Sequence, residues 1–217
     1  MFTESTMKRT LLLAASALLF FSCDNTTTGV EDEPESEVDI RTIEDLHAPG
    51  TRTNPAANFV YFSLRDEEIV AHEDSASTNW DIAFRGTDII INSGVSGPGE
   101  AESLMLDVPF DDVGIAPPDG YSVDSEEAYA IEGSGGWYTY TGPQGNPSHA
   151  LIADEDVTIV MKTADGNHYA KLKIISYYEG NPDTSTEEFA NLETRADSPY
   201  YTFQYAIQLG EGIREFN

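Results

Sequence analysis

Four histidines, His47, His72, His149 and His168, are the residues of this 217-residue chain best suited to metal chemistry. Neutral imidazole is a common metal ligand, and each ring offers two nitrogens for the purpose. No two of the four stand at zinc-ligand spacing, and the single cysteine, Cys23, is no partner for them. His149 closes the stretch GGWYTYTGPQGNPSH, residues 135–149. Turn-rich loops on a rigid β scaffold often hold binding residues, so His149 is the strongest ligand candidate. The competing reading is a polar side chain where a loop enters a strand. His168 flanks a hairpin turn, His47 adjoins an acidic segment and His72 closes a short strand, so all three read as structural.

Signatures of catalysis are missing. The chain has no G-x-S-x-G elbow, no Walker loop and no H-E-x-x-H. The serines of Ser93–Gly99 (SGVSGPG) precede no strand-to-helix junction and read as a long turn between strands. Asp111-Asp112 and Asp154-Glu155-Asp156 lack the alternating oxygens and central glycine of a calcium loop. A hydrolase would need a nucleophile–base pair that the sequence does not offer, and the expectation is a protein that is not an enzyme. The aromatic groups are Trp137, Tyr138 and Tyr140, then Tyr177-Tyr178, then Tyr200-Tyr201. Alternation sends part of each group to the core. The remainder could flank a flat apolar ligand or pair along edge strands.

The elements that must carry these residues are strands. Tyr201, Phe203, Tyr205, Ile207 and Leu209 share one face of a period-two run, against Thr202, Gln204, Ala206 and Gln208. Ala170, Leu172 and Ile174 oppose Lys171 and Lys173 in the same way, and Val157, Ile159 and Met161 form a third set. The Asp165-Gly166 pair between the last two runs predicts a hairpin of about 156–163 with 168–178. Further strands are expected at Phe59–Leu64, Glu67–His72, Trp80–Arg85 and Asp88–Asn92, and no helical stripe exceeds two turns. The predicted class is all-β, a single domain of packed antiparallel sheets over residues 51–217.

The N-terminus has a different character. Lys8 and Arg9 precede an apolar run from Leu11 to Phe21, which is followed by Ser22 and Cys23. A basic region, a short apolar run and a small residue make a secretory signal, too short to span a bilayer. With Cys23 at the end of the run, it resembles a bacterial lipoprotein signal. That resemblance implies removal of residues 1–22, acylation of Cys23 and a lipid anchor in the outer membrane. Residues 23–50 are rich in acid, Thr and Ser and read as a flexible tether. The chain carries 39 acidic residues against 11 basic ones, a net charge of −28. That balance argues against nucleic-acid and anionic-lipid partners, which need a basic patch. The acids are spread along the whole chain, which fits a general surface adaptation better than a binding site.

The ordered series NWDIAFRGTDIIINSGVSGPG, DVPFDDVGIAPPDGYSVD, GGWYTY and VTIVMKTADGNHYAKLKIISYY resembles the HmuY family of lipid-anchored surface proteins of the Bacteroidota. It covers most of residues 58–209 and implies an all-β fold, haem as cofactor, and transfer of haem from haemoproteins to an outer-membrane receptor. Haem-binding members hold the iron by two histidines or by methionines. One ligand comes from the segment between the DGY-like turn and GGW, which here is Ser122–Ser134, without His or Met. The other, in the His–His type, falls about five residues after the tryptophan, where this chain has Thr141-Gly142. His149 is therefore the leading candidate for the iron, with Met105, Tyr138, Tyr140 or solvent opposite it. The alternative is a HmuY-fold lipoprotein without haem ligation, which binds another apolar ligand or serves surface assembly.

Overall fold

In the computed structural model, residues 37–50 and 57–217 are described. The signal run, Cys23 and the first part of the expected tether lie outside these residues.

Strand β1 (Val38–His47) opens the described chain, followed by β2 (Val60–Ser63), β3 (Glu68–Val70), β4 (Ile82–Arg85) and β5 (Asp88–Ile91). Then come β6 (Glu102–Leu106), β7 (Tyr138–Tyr140), β8 (Leu151–Ala153), β9 (Thr158–Lys162), β10 (Tyr169–Ser176) and β11 (Tyr200–Gln208). A one-turn helix, α1 (Glu187–Ala190), is capped by the Thr186 side chain, which accepts the Phe189 N–H. One sheet has the order β1-β11-β10-β9-β6, a second the order β3-β2-β4-β5, and β7 pairs with β8 alone. All pairings between these strands are antiparallel. The all-β expectation holds, and so does the hairpin, with Ala170 opposite Met161 and Leu172 opposite Ile159.

The two larger sheets meet through aromatic side chains. Phe84 of β4 stacks on Phe203 of β11 at 5.3 Å, and Phe62 of β2 meets the same ring edge-on at 5.7 Å. Leu172, Ile159, Met161, Ile82 and Ile91 complete this core and are essentially inaccessible. Each such side chain contributes roughly 1.5–3 kcal/mol on burial.

The structure corrects two sequence expectations and adds a burial that alternation does not address. Val38–His47, placed in the tether of residues 23–50, is an edge strand hydrogen-bonded to β11. Its core contacts come from only Ile43 and Leu46, a pattern too sparse to stand out among acidic neighbours. His72 does not close a strand, because β3 ends at Val70 and His72 opens a 3-10 turn. Lys171 lies on the face opposite Leu172, as alternation requires, but is buried. Residues Phe110–Ala116 and the C-terminal Phe216 cover that face, and the Lys171 ammonium donates to the carbonyls of Phe110 (2.7 Å) and Val113 (2.9 Å).

One buried carboxylate ties the two sheets together. Asp81 Oδ2 accepts the Leu64 N–H at 2.8 Å, and its Oδ1 accepts the Ala164 N–H at 2.8 Å. Leu64 follows β2, whereas Ala164 belongs to the β9–β10 turn of the other sheet. Burial pushes the Asp81 carboxyl pKa up, and Arg65 together with the two N–H donors opposes that push. Arg65 also reaches Asp165 at 3.2 Å, which in turn accepts from Thr163 and lies 3.0 Å from His168 Nδ1. His168 is thus part of the turn's ion-pair network.

Asp81→Ala would strand two buried N–H groups and is expected to lower unfolding free energy by about 3 kcal/mol or more, measured by urea denaturation. Partial burial works to raise the Asp165 carboxyl, but Thr163, the Asn167 N–H, Arg65 and His168 outweigh it and hold the pKa at about 2, below an ordinary 3.8. A depressed pKa gives stability that is present above the unfolded value and lost as pH falls through the folded one. Asp165→Asn should therefore lose less stability than the parent between about pH 4 and pH 2, in denaturant titrations across that range.

Candidate functional site

The GGW stretch is a turn built for close approach. Gly135 has φ +86°, and a Cβ on Gly136 would lie 2.3 Å from the Glu132 carbonyl oxygen. The turn delivers Trp137 into the core, 4.5 Å from the Tyr138 ring and 5.4 Å from Tyr201. With Trp137 anchored inward, alternation along β7 sends Tyr138 and Tyr140 to a common face. Tyr138 is half-buried and Tyr140 is 46% exposed.

These two tyrosines line a cleft of about 490 Å³ with Leu151, Tyr177, Ser134, Gly86 and Thr87. Each wall is held by a specific contact. Buried Tyr201 donates its hydroxyl to the Gly86 carbonyl at 2.8 Å and so pins the β4–β5 turn. The Tyr178 hydroxyl accepts the Leu151 N–H at 2.9 Å and sets β8. Burial among Tyr178, Tyr138 and Asp88 raises the Tyr177 pKa, so this ring faces the cleft as a neutral phenol.

His149 stands at the rim. The Thr141–Ala150 loop closes with Thr141 N–H donating to the Ala150 carbonyl and the His149 N–H to the Gly142 carbonyl, 2.9 and 2.8 Å. His149 has φ +52°, an uncommon left-handed backbone for a residue with a side chain. Arg195 fixes it there, donating to the carbonyls of Ser148 (2.8 Å) and His149 (3.2 Å) while lying over the Phe189 ring. The result is a single contact: the Tyr140 hydroxyl lies 2.6 Å from His149 Nδ1.

Of the four sequence-predicted site residues, Tyr138, Tyr140 and His149 come together here. Met105 lines a different, more polar cleft of about 380 Å³, where its sulfur accepts the Glu132 N–H. Thr141-Gly142 forms the start of the loop that closes on His149. The other histidines are engaged elsewhere: His47 stacks on Tyr200, His72 on Tyr61, and His168 pairs with Asp165. Among the described residues, no three His, Cys, Asp or Glu side chains gather as a metal site, and no helix is long and apolar enough to cross a membrane. Sequence reasoning missed Leu151 as a wall and Arg195 as an anchor. Its loop-anchoring role has no local signal, because the Ser148 and His149 carbonyls it holds lie 47 and 46 residues away.

The described residues form an antiparallel β scaffold of two larger sheets and a two-stranded one, with an aromatic cleft beside the smallest. The chain belongs to the HmuY family, whose sequence profile, described as HmuY protein, matches residues 56–190. A similar solved structure is the apo HmuY analog of Tannerella forsythia, at 16% identity and a TM-score of 0.42. It covers 82% of this chain and 99% of its own. A search of curated proteins finds no match.

Arg195→Met should free the Ser148 and His149 carbonyls and loosen the loop by about 1–2 kcal/mol. Amide exchange at His149 and Ala150 would then speed up roughly tenfold or more, with β9–β11 unaffected.

Proposed function

We propose that this protein is a non-catalytic, lipid-anchored surface protein that takes haem into the tyrosine cleft and passes it to an outer-membrane receptor. The observation that carries this reading is the cleft itself: three tyrosine rings and Leu151 form a mostly apolar recess, with oxygen and nitrogen donors on one rim. Its volume is in the range of about 300–1,000 Å³ common to small-molecule sites. Flat aromatic walls suit a flat macrocycle, and phenol and imidazole are both protein donors to haem iron. Bound haem would supply a ferric centre able to accept an axial donor from the protein.

The chain's own contribution is positioning. Trp137 and Tyr201 hold the walls rigid, and the Arg195 clamp keeps the His149 loop against Tyr140, so little ordering entropy is lost on binding. Anchoring through Cys23 would place this domain at the membrane surface, and its acidic surface would keep it off anionic headgroups. The family resemblance supports haem as the cargo and a receptor as the next holder. A hydrolase would need a nucleophile with a base and a third orienting group, whereas the His149 ring has Tyr140 as its side-chain partner.

Titration of the mature protein with ferric haem should give a saturable, red-shifted Soret band at one haem per chain. An unshifted spectrum would overturn the haem reading. Binding of metal-free porphyrin alone would reduce it to capture of an apolar ligand.

A further inference from the structure

We infer that the free edge of β6 is a docking site for an extended, basic segment of a partner protein, which adds a strand to the five-stranded sheet. The inference is independent of the haem reading and concerns the more polar cleft of about 380 Å³.

β6 is the last strand of its sheet and pairs with β9 on one side. Register decides where its main chain points. On the side away from β9, the Ser103 N–H donates to the Ser122 carbonyl at 2.9 Å and accepts the Ser122 N–H on its own carbonyl at 2.8 Å. Peptide groups alternate in direction along an antiparallel strand, so Met105, two residues on, presents its N–H and C=O to that same side. The Ser103–Ser122 bridge is isolated, and among the described residues neither Met105 group has a hydrogen-bond partner. Met105 borders the cleft, which Glu132 and Gly135-Gly136 also line. There the Glu132 N–H donates to the Met105 sulfur at 3.2 Å, and a thioether is a weak acceptor. Three main-chain groups thus meet at one cleft without a main-chain partner.

Edge strands are usually blunted by charge or a bulge. β1, at the opposite edge, has both: a bulge between Ile43 and Leu46, and the charges of Asp39, Arg41, Glu44 and Asp45. After Glu102, β6 reads Ser-Leu-Met-Leu and has neither. An added strand draws affinity from main-chain bonds and specificity from its alternate side chains. The flexible Met105 thioether can withdraw and leave the Glu132 N–H to an incoming carbonyl, a better acceptor. Leu104 and Val157 offer apolar contact. Charge selects the occupant. The charged residues of the lining are Asp107 and Glu132, both exposed and both acidic. A segment with Lys or Arg complements them, whereas a second copy of this chain, at net charge −28, would bring further acid.

The test titrates the mature protein with a blocked heptapeptide of alternating Lys and Val, followed by calorimetry and amide NMR. Its controls are the Glu-Val twin and the Lys-Val peptide N-methylated at alternate residues. The Lys-Val peptide should bind at one per chain, shift the Met105 and Glu132 amide resonances and slow exchange at Met105. Both controls should bind about tenfold more weakly or worse, since each loses either the charge match or the main-chain donors. Met105→Pro removes the outward N–H and leaves the β9 ladder alone, and it should weaken binding by a similar factor. If that variant does not fold, the double variant Asp107→Lys/Glu132→Lys, which keeps every main-chain group, decides with the N-methylated peptide. Absence of binding overturns the inference. So does binding that survives N-methylation or the charge reversal, which is diffuse attraction to an acidic surface. A dimer in sedimentation that Met105→Pro dissolves makes the occupant a second copy and overturns it as well.

Discussion

The Asp81 carboxylate, with no accessible surface, accepts one backbone N–H from each of the two large sheets, and the architecture is organised around that bridge. A charged group in such a place is tolerated only when its lone pairs are filled and a counter-charge is near, and Arg65 supplies the charge. The bridge fixes where the β9–β10 turn sits relative to β2 and β4. Two further side chains act the same way. Asn92 accepts the Gly99 N–H and donates to the Ser77 and Trp80 carbonyls, which folds Ser93–Gly99 back on the sheet. Asp124 accepts from Ile91 and Ala130, holding the loop that leads into the GGW turn against β5. Directional bonds of this kind set register where apolar packing alone would tolerate sliding.

From this frame the site follows by a chain of aromatic contacts. Phe84 and Phe203 bring the sheets together, Tyr201 packs against Phe84, and its hydroxyl holds Gly86 at the cleft floor. Trp137 rests on Tyr201 and so places β7. Close-packed cores transmit position accurately, because a ring cannot shift without displacing its neighbours. The small β7–β8 sheet carries the cleft-lining Tyr138 and Tyr140 but does not need to be stable alone, since its inward side is part of the core.

The Tyr140–His149 contact joins two residues nine positions apart. A strand presents the oxygen, and a loop in strained geometry presents the nitrogen. Strain at φ +52° costs free energy and persists only where the surroundings impose it, here through Arg195 and the Gly142 carbonyl. That arrangement turns an ordinary surface histidine into one with a defined partner.

Alternation along 157–178 and 201–209 and the Asp165-Gly166 turn sufficed to read the central hairpin and the all-β class, because period-two burial is a local property of each strand. The aromatic and histidine candidates around GGW were legible for the same reason: residue type and near spacing survive without the fold. The edge strand Val38–His47 was not legible, since its stability comes from hydrogen bonds to β11 and two apolar contacts rather than from its own composition. The burial of Lys171 comes from the segment at 110–116 and Phe216, which close over its face. The separation of Met105 from Tyr138 and Tyr140, and the grip of Arg195 on the His149 loop, were decided only by tertiary structure. Each depends on residues tens of positions apart being brought into contact, and no local pattern encodes such pairings.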